Sequence, residues 1–189
     1  MKKKDHIRIL FIGNSHTFVN DLPHTVAVMA EENGLQADVT MIAHGGWYLK
    51  QHTAEPDVPF NIQYGHYDYV VLQEHSHPFD HLEYYEEAMK TLAGWIHAAG
   101  SVPVIFGTWS TKREPEKQEY MNETNRRLAA ENHTLLAPVG EGWWTVQTSC
   151  PEMDLYWQDG EHASPAGSEY AAKIIWNTIL TDYKKNQEN

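Results

Sequence analysis

The stretch "ILFIGNSHTF", residues 9–18, carries an apolar run directly into Gly13, Asn14, Ser15, His16 and Thr17. A short run of branched and aromatic residues ending on a polar turn reads as a buried strand feeding a helix. The serine at that turn has two readings, an ordinary helix cap or a nucleophile held over the end of a sheet.

Working outward, apolar runs and helical patterns alternate. Strands are expected at 7–13, 37–43, 67–73, 102–108 and 134–140. Between them, "DLPHTVAVMAEENG" (21–34) reads as a helix capped by Asp21 and ended by Gly34, with Leu22, Val26, Met29 and Ala30 on one face. Further helices are expected near 81–99 and 114–132. A last one begins at Ser164-Pro165, with Ala171, Ile174, Ile175, Ile179 and Tyr183 on one stripe. Five strands alternating with helices predict a single α/β domain over residues 1–189. It is a three-layer α/β/α sandwich on a five-stranded parallel sheet, flavodoxin-like in strand order. In such sheets ligands sit beyond the carboxyl ends of the strands. Residues just after strands should therefore converge, namely Ser15, Gly45 and Gly46, Gln73 to His77, and Trp109.

Composition limits the partners. The formal charge of −12 offers no basic stripe to phosphates or to an anionic membrane surface, so neither nucleic acid nor membrane is expected. A small-molecule substrate fits better. The start "MKKKDHIRILFIGNS" places lysines before an apolar run that is too short for a secretory leader and is broken by Arg8, so a cytoplasmic location is expected. The lone cysteine, Cys150, leaves no disulfide within the chain.

A serine nucleophile needs a base, and the base needs an orienting acid. Two Asp-x-x-His pairs occur, Asp21/His24 and Asp159/His162. The first falls inside a helix pattern. The second lies in "QDGEHASPAG" (158–167), a loop rich in glycine, serine and proline just before the last helix, where catalytic residues more often sit.

Taken together, "FIGNSHT" after the first strand and "DGEHASPAG" before the final helix resemble the SGNH/GDSL hydrolases, a superfamily of esterases and lipases. Gly13-Asn14-Ser15 matches a G-N-S form of their G-D-S block, and Asp159, His162 and Pro165 match their D-x-x-H block. The resemblance implies a cofactor-free serine esterase with Ser15 as nucleophile, His162 as general base and Asp159 orienting it. Ser15 and a glycine after strand 2, in "AHGGWYL", would give backbone donors to the oxyanion. Gly46, expected to begin a short helix, is favoured over Gly45. The family's third-block asparagine donor is absent from "VVLQEHSH" (70–77). Gln73 keeps a carboxamide there, while a gapless match puts His75 in its place.

A short acyl group on a carbohydrate, such as an acetylated sugar, is the expected substrate. Trp47, Trp109 and Trp157 are the expected sugar-contacting aromatics among seven tryptophans. Two rival readings remain. One is a catalytically silent glycan-binding domain. The other is a metal-dependent hydrolase using His75, His77 and His81 in "HSHPFDH" (75–81).

Overall fold

The computed structural model describes residues 6–77, 79–150 and 152–188; the lysine-rich start and Pro78 within the histidine-rich run lie outside them. All five expected strands form: β1 (His6–Gly13), β2 (Gln36–Ala43), β3 (Tyr69–Leu72), β4 (Val102–Phe106) and β5 (Leu135–Ala137). They make one parallel sheet in the order β2-β1-β3-β4-β5. The chain leaves β1 toward one edge and returns to β3 on its other side. That reversal opens a crevice at the carboxyl end of β1.

The pleat of β1 explains the three layers. Ile7, Ile9 and Phe11 point to one face and Leu10 and Ile12 to the other, and all five are fully buried. Helices cover both faces: α1 (Ser15–Phe18), α2 (Leu22–Glu32), α3 (Leu49–His52), α4 (Asp57–Tyr64), α5 (Leu82–Ala98), α6 (Gln118–Glu131), α7 (Val139–Ser149) and α8 (Pro165–Glu188). One core joins the first face to α2, α7 and α8 through Leu22, Val26, Trp143, Ala171, Ile175 and Ile179. The other joins the second face to α3–α6 through Leu49, Ile62, Met89, Leu92 and Met121. Each of the Leu, Ile, Val and Met side chains among these contributes about 1.5–3 kcal/mol of burial. None of the described helices is long and apolar enough to cross a membrane.

Several local expectations change. Asp21 does not cap α2 with its side chain; it is left-handed (φ 56°) at the end of a 3-10 turn, and the helix starts with Pro23 in its first turn. The C-terminal end of α2 behaves as read. Gly34 (φ 78°) turns the chain, and the N–H groups of Gly34 and Leu35 donate to the carbonyls of Glu31 and Ala30. β5 is shorter than expected because Val139 already starts α7.

Candidate active site

The turn after β1 is held in place by a dense set of hydrogen bonds. Asn14 is buried, and its Oδ1 accepts from the His16 N–H at 3.1 Å to cap α1. The Asn14 N–H donates to Gln73 Oε1 at 2.9 Å, and Thr17 Oγ1 donates to the same oxygen at 2.9 Å. The Gly13 carbonyl accepts from His44 N–H at 3.1 Å and from His52 Nε2 at 2.9 Å. Ser15 is thereby fixed at the start of α1, half-buried and facing a cleft of about 220 Å³.

Across the cleft, the loop before α8 presents the other partners. Ser15 Oγ donates to His162 Nε2 at 2.8 Å, and His162 Nδ1 donates to Asp159 Oδ2 at 2.8 Å. Asp159 Oδ1 accepts from the N–H groups of Glu161 (2.9 Å) and His162 (3.0 Å). Partial burial pulls the Asp159 carboxyl upward, but those N–H groups and the imidazole outweigh it and hold it below the usual carboxylate range. The loop is braced by Trp157 N–H donating to the His162 carbonyl at 2.8 Å and by left-handed Gly160 (φ 73°). A carboxylate that fixes the imidazole tautomer, with the other ring nitrogen on a serine hydroxyl, is the arrangement that activates a serine.

The glycine turn after β2 also reaches the cleft, through Gly46. It does not begin a helix, as expected, but is the third residue of a turn closed by Trp47 N–H donating to the His44 carbonyl, with φ 74°. Only glycine adopts that conformation freely. α3 starts three residues later, at Leu49.

Three expected contacts are corrected. Gln73 does not offer its carboxamide to the cleft: it is fully buried, its oxygen serves Asn14 and Thr17, and its Nε2 donates to the Glu74 carbonyl. Trp109 is 1% exposed and lies flat on Trp143 at 3.7 Å, with Nε1 donating to the Glu161 carbonyl; it is a packing residue behind the site. His75, His77 and His81 are not gathered as a ligand set. His75 stacks on Tyr48 and His81 on Tyr84, and among the described residues no group of three or more His, Cys, Asp or Glu is placed to hold a metal ion. Trp47 is half-buried, its ring 4.1 Å from that of His44, and Trp157 remains 51% exposed beside the His162 loop.

The sequence reading gave no role to His16 or Glu161 and named Ser76 only within the converging run Gln73 to His77; all three line the cleft with Ser15, Gly46, His75, His77 and His162. His16 stacks on His162 with ring centres 5.0 Å apart and planes at 17°. Burial, then the neighbouring His162, His75 and His77, lowers its pKa to about 3, so it packs as a neutral ring. Adjacency to Ser15 was the one available signal.

No protein-family model matches the chain, and no curated protein does. Solved structures do. A protein from Slackia heliotrinireducens, described as a candidate SGNH hydrolase, is 30% identical over 92% of this chain and 99% of its own, with a TM-score of 0.81. The chain belongs to the SGNH hydrolases. By that membership it is a hydrolase. At lower identity the fold is also that of the acetyl xylan esterase AlAXEase (14% identical, 92% of this chain and 100% of the other, TM-score 0.71). A carbohydrate esterase family 3 protein from Talaromyces cellulolyticus is similar too (12%, 95% and 99%, TM-score 0.71).

Proposed function

We propose that this SGNH hydrolase removes short acyl groups, O-acetyl above all, from a carbohydrate through a Ser15–His162–Asp159 triad and an acyl-enzyme. The observation that carries the reading is the unbroken chain of two 2.8 Å hydrogen bonds from Ser15 Oγ through His162 to Asp159.

In this mechanism His162 Nε2 takes the Ser15 proton as Oγ attacks the ester carbonyl. The Ser15 and Gly46 N–H groups donate to the resulting oxyanion. Asp159 holds the Nδ1–H tautomer and stabilises the imidazolium, and His162 returns the proton to the departing alcohol. Water, activated by the same imidazole, then releases the acid and frees Ser15.

A short acyl group suits a cleft of about 220 Å³ walled by His75, His77 and Glu161. A sugar alcohol is supported by Trp157, exposed beside the His162 loop, and by the carbohydrate-acting names of two fold neighbours. Trp47, next to Gly46, is the second candidate contact.

The test is initial-rate hydrolysis of 4-nitrophenyl acetate, then of acetylated xylo-oligosaccharide, by the protein and by Ser15→Ala. The variant should fall by about 10³-fold or more. Equal rates in both proteins would overturn the triad. Turnover of the nitrophenyl ester without release of acetate from the oligosaccharide would overturn that sugar substrate.

A further inference from the structure

His16 and Ser76 form a buried pair in the cleft to which the triad gives no role. The Ser76 hydroxyl lies 2.6 Å from His16 Nε2, and both residues line the cavity that holds Ser15, Gly46 and His162. A neutral imidazole carries one N–H, and the position of that proton decides what the serine does. His16 Nδ1 is buried and has no hydrogen-bond partner. A proton there would be a buried donor without an acceptor, whereas a bare nitrogen lone pair is the cheaper vacancy. The proton therefore sits on Nε2 and is donated to Ser76 Oγ. The serine, already accepting, keeps its own hydrogen, and among the described residues its oxygen has no second hydrogen bond.

The cleft lacks a side-chain donor where the family's asparagine would stand, because Gln73 is committed beneath the nucleophile turn. His75 also lines the cleft, but its main-chain N–H is taken by Glu74 Oε1 at 2.6 Å and its ring is stacked on Tyr48 with ring centres 4.5 Å apart, whereas Ser76 Oγ already has an N–H aimed at it. We propose that Ser76 is the side-chain donor of the oxyanion hole, its hydroxyl polarised by the His16 Nε2–H. The assignment rests on the serine-esterase reading above. As Ser15 Oγ bonds to the carbonyl carbon, the C=O π pair moves to oxygen. Ser76 O–H then donates a hydrogen bond to that oxygen without giving up its proton. The bond strengthens as charge grows, because the chain His16 N–H to Ser76 O–H to oxyanion polarises in one direction.

The experiment combines kinetics with an adduct structure. Ser76→Ala should lower kcat for 4-nitrophenyl acetate by roughly 10²-fold with KM nearly unchanged, and Ser76→Thr should keep most of the rate. In the crystal structure of the parent protein phosphonylated at Ser15, the phosphonyl oxygen should lie within hydrogen-bond distance of Ser76 Oγ. A Ser76→Ala enzyme within about twofold of the parent, or an oxygen directed to His75 instead, would overturn the proposal. Should Ser76→Ala fail to fold, the parent adduct decides alone. A parent that neither turns over nor takes up the phosphonate overturns the serine-esterase reading and Ser76 with it. An active, labelled parent beside an unimpaired Ser76→Ala overturns Ser76 only.

Discussion

Asn14 Nδ2 donates to the main-chain carbonyl of Trp47 at 2.9 Å, tying the turn that carries Ser15 to the turn that carries Gly46. The two backbone donors proposed for the oxyanion hole are thus held at a fixed spacing by one carboxamide. It caps α1 with its oxygen and bridges to the glycine turn with its nitrogen.

Replacing Asn14 by Ala removes both links at a buried position. The variant should lose about 1–3 kcal/mol of stability, read by denaturant unfolding. Its kcat should fall further than its KM rises, because the loss is of preorganisation. Unchanged kcat in a folded protein would show that the spacing is held by something else.

Gly13→Ala tests the packing beneath the nucleophile. A β-carbon there would stand 2.6 Å from Gln73 Oε1 and closer still to Thr17 Oγ1. Neither can retreat without abandoning the hydrogen bonds to Gln73 that fix Asn14 and Thr17. The expected outcome is a protein destabilised by about 1–3 kcal/mol, with esterase activity reduced by at least tenfold.

Glu74 makes stability depend on pH. Its carboxyl is 3% exposed, and burial raises it to about 7, against the pull of the His75 and Leu49 N–H groups. The folded chain therefore holds a proton that the unfolded chain releases near the ordinary value of 4.5. Stability from this group is complete below about 4.5 and declines as pH rises through about 7, by on the order of 3 kcal/mol. His16 acts oppositely. Folded, it titrates at about 3 rather than 6.5, so its contribution declines as pH falls below about 6.5. Glu74→Gln should flatten the decline on the neutral side and leave the acid side intact, measured by chemical denaturation from pH 4 to 8. The same slope in both proteins would assign it elsewhere.

The sheet was legible because its strands are short β-branched runs bounded by turn residues, and parallel strands buried on both faces keep that signature. The short helices were not. α3 and α4 span four and eight residues, and Pro59 falls inside the second. α7 contains Gly140 and Gly142, poor helix formers kept because a β-carbon would strike the Thr108 carbonyl and the Tyr170 hydroxyl. At the candidate site, Ser15, Asp159 and His162 were legible because two spaced blocks name them. Gln73 was misread because a buried carboxamide can donate to a ligand or accept from a turn, and only the pose of the side chain separates the two. Trp109 was misread for a similar reason: its place after β4 is right, but Trp143 of α7, an unforeseen helix, covers it.

Ser15 and His162 stand 147 positions apart in the chain, one rooted in the first strand and the other hung on the loop that leads into α8. The proposed centre is consequently assembled by tertiary packing rather than by any local stretch of chain. Ser15 and His162 meet only while α8 keeps its apolar stripe seated against α2 and the sheet, so chemical competence reports on the docking of that helix.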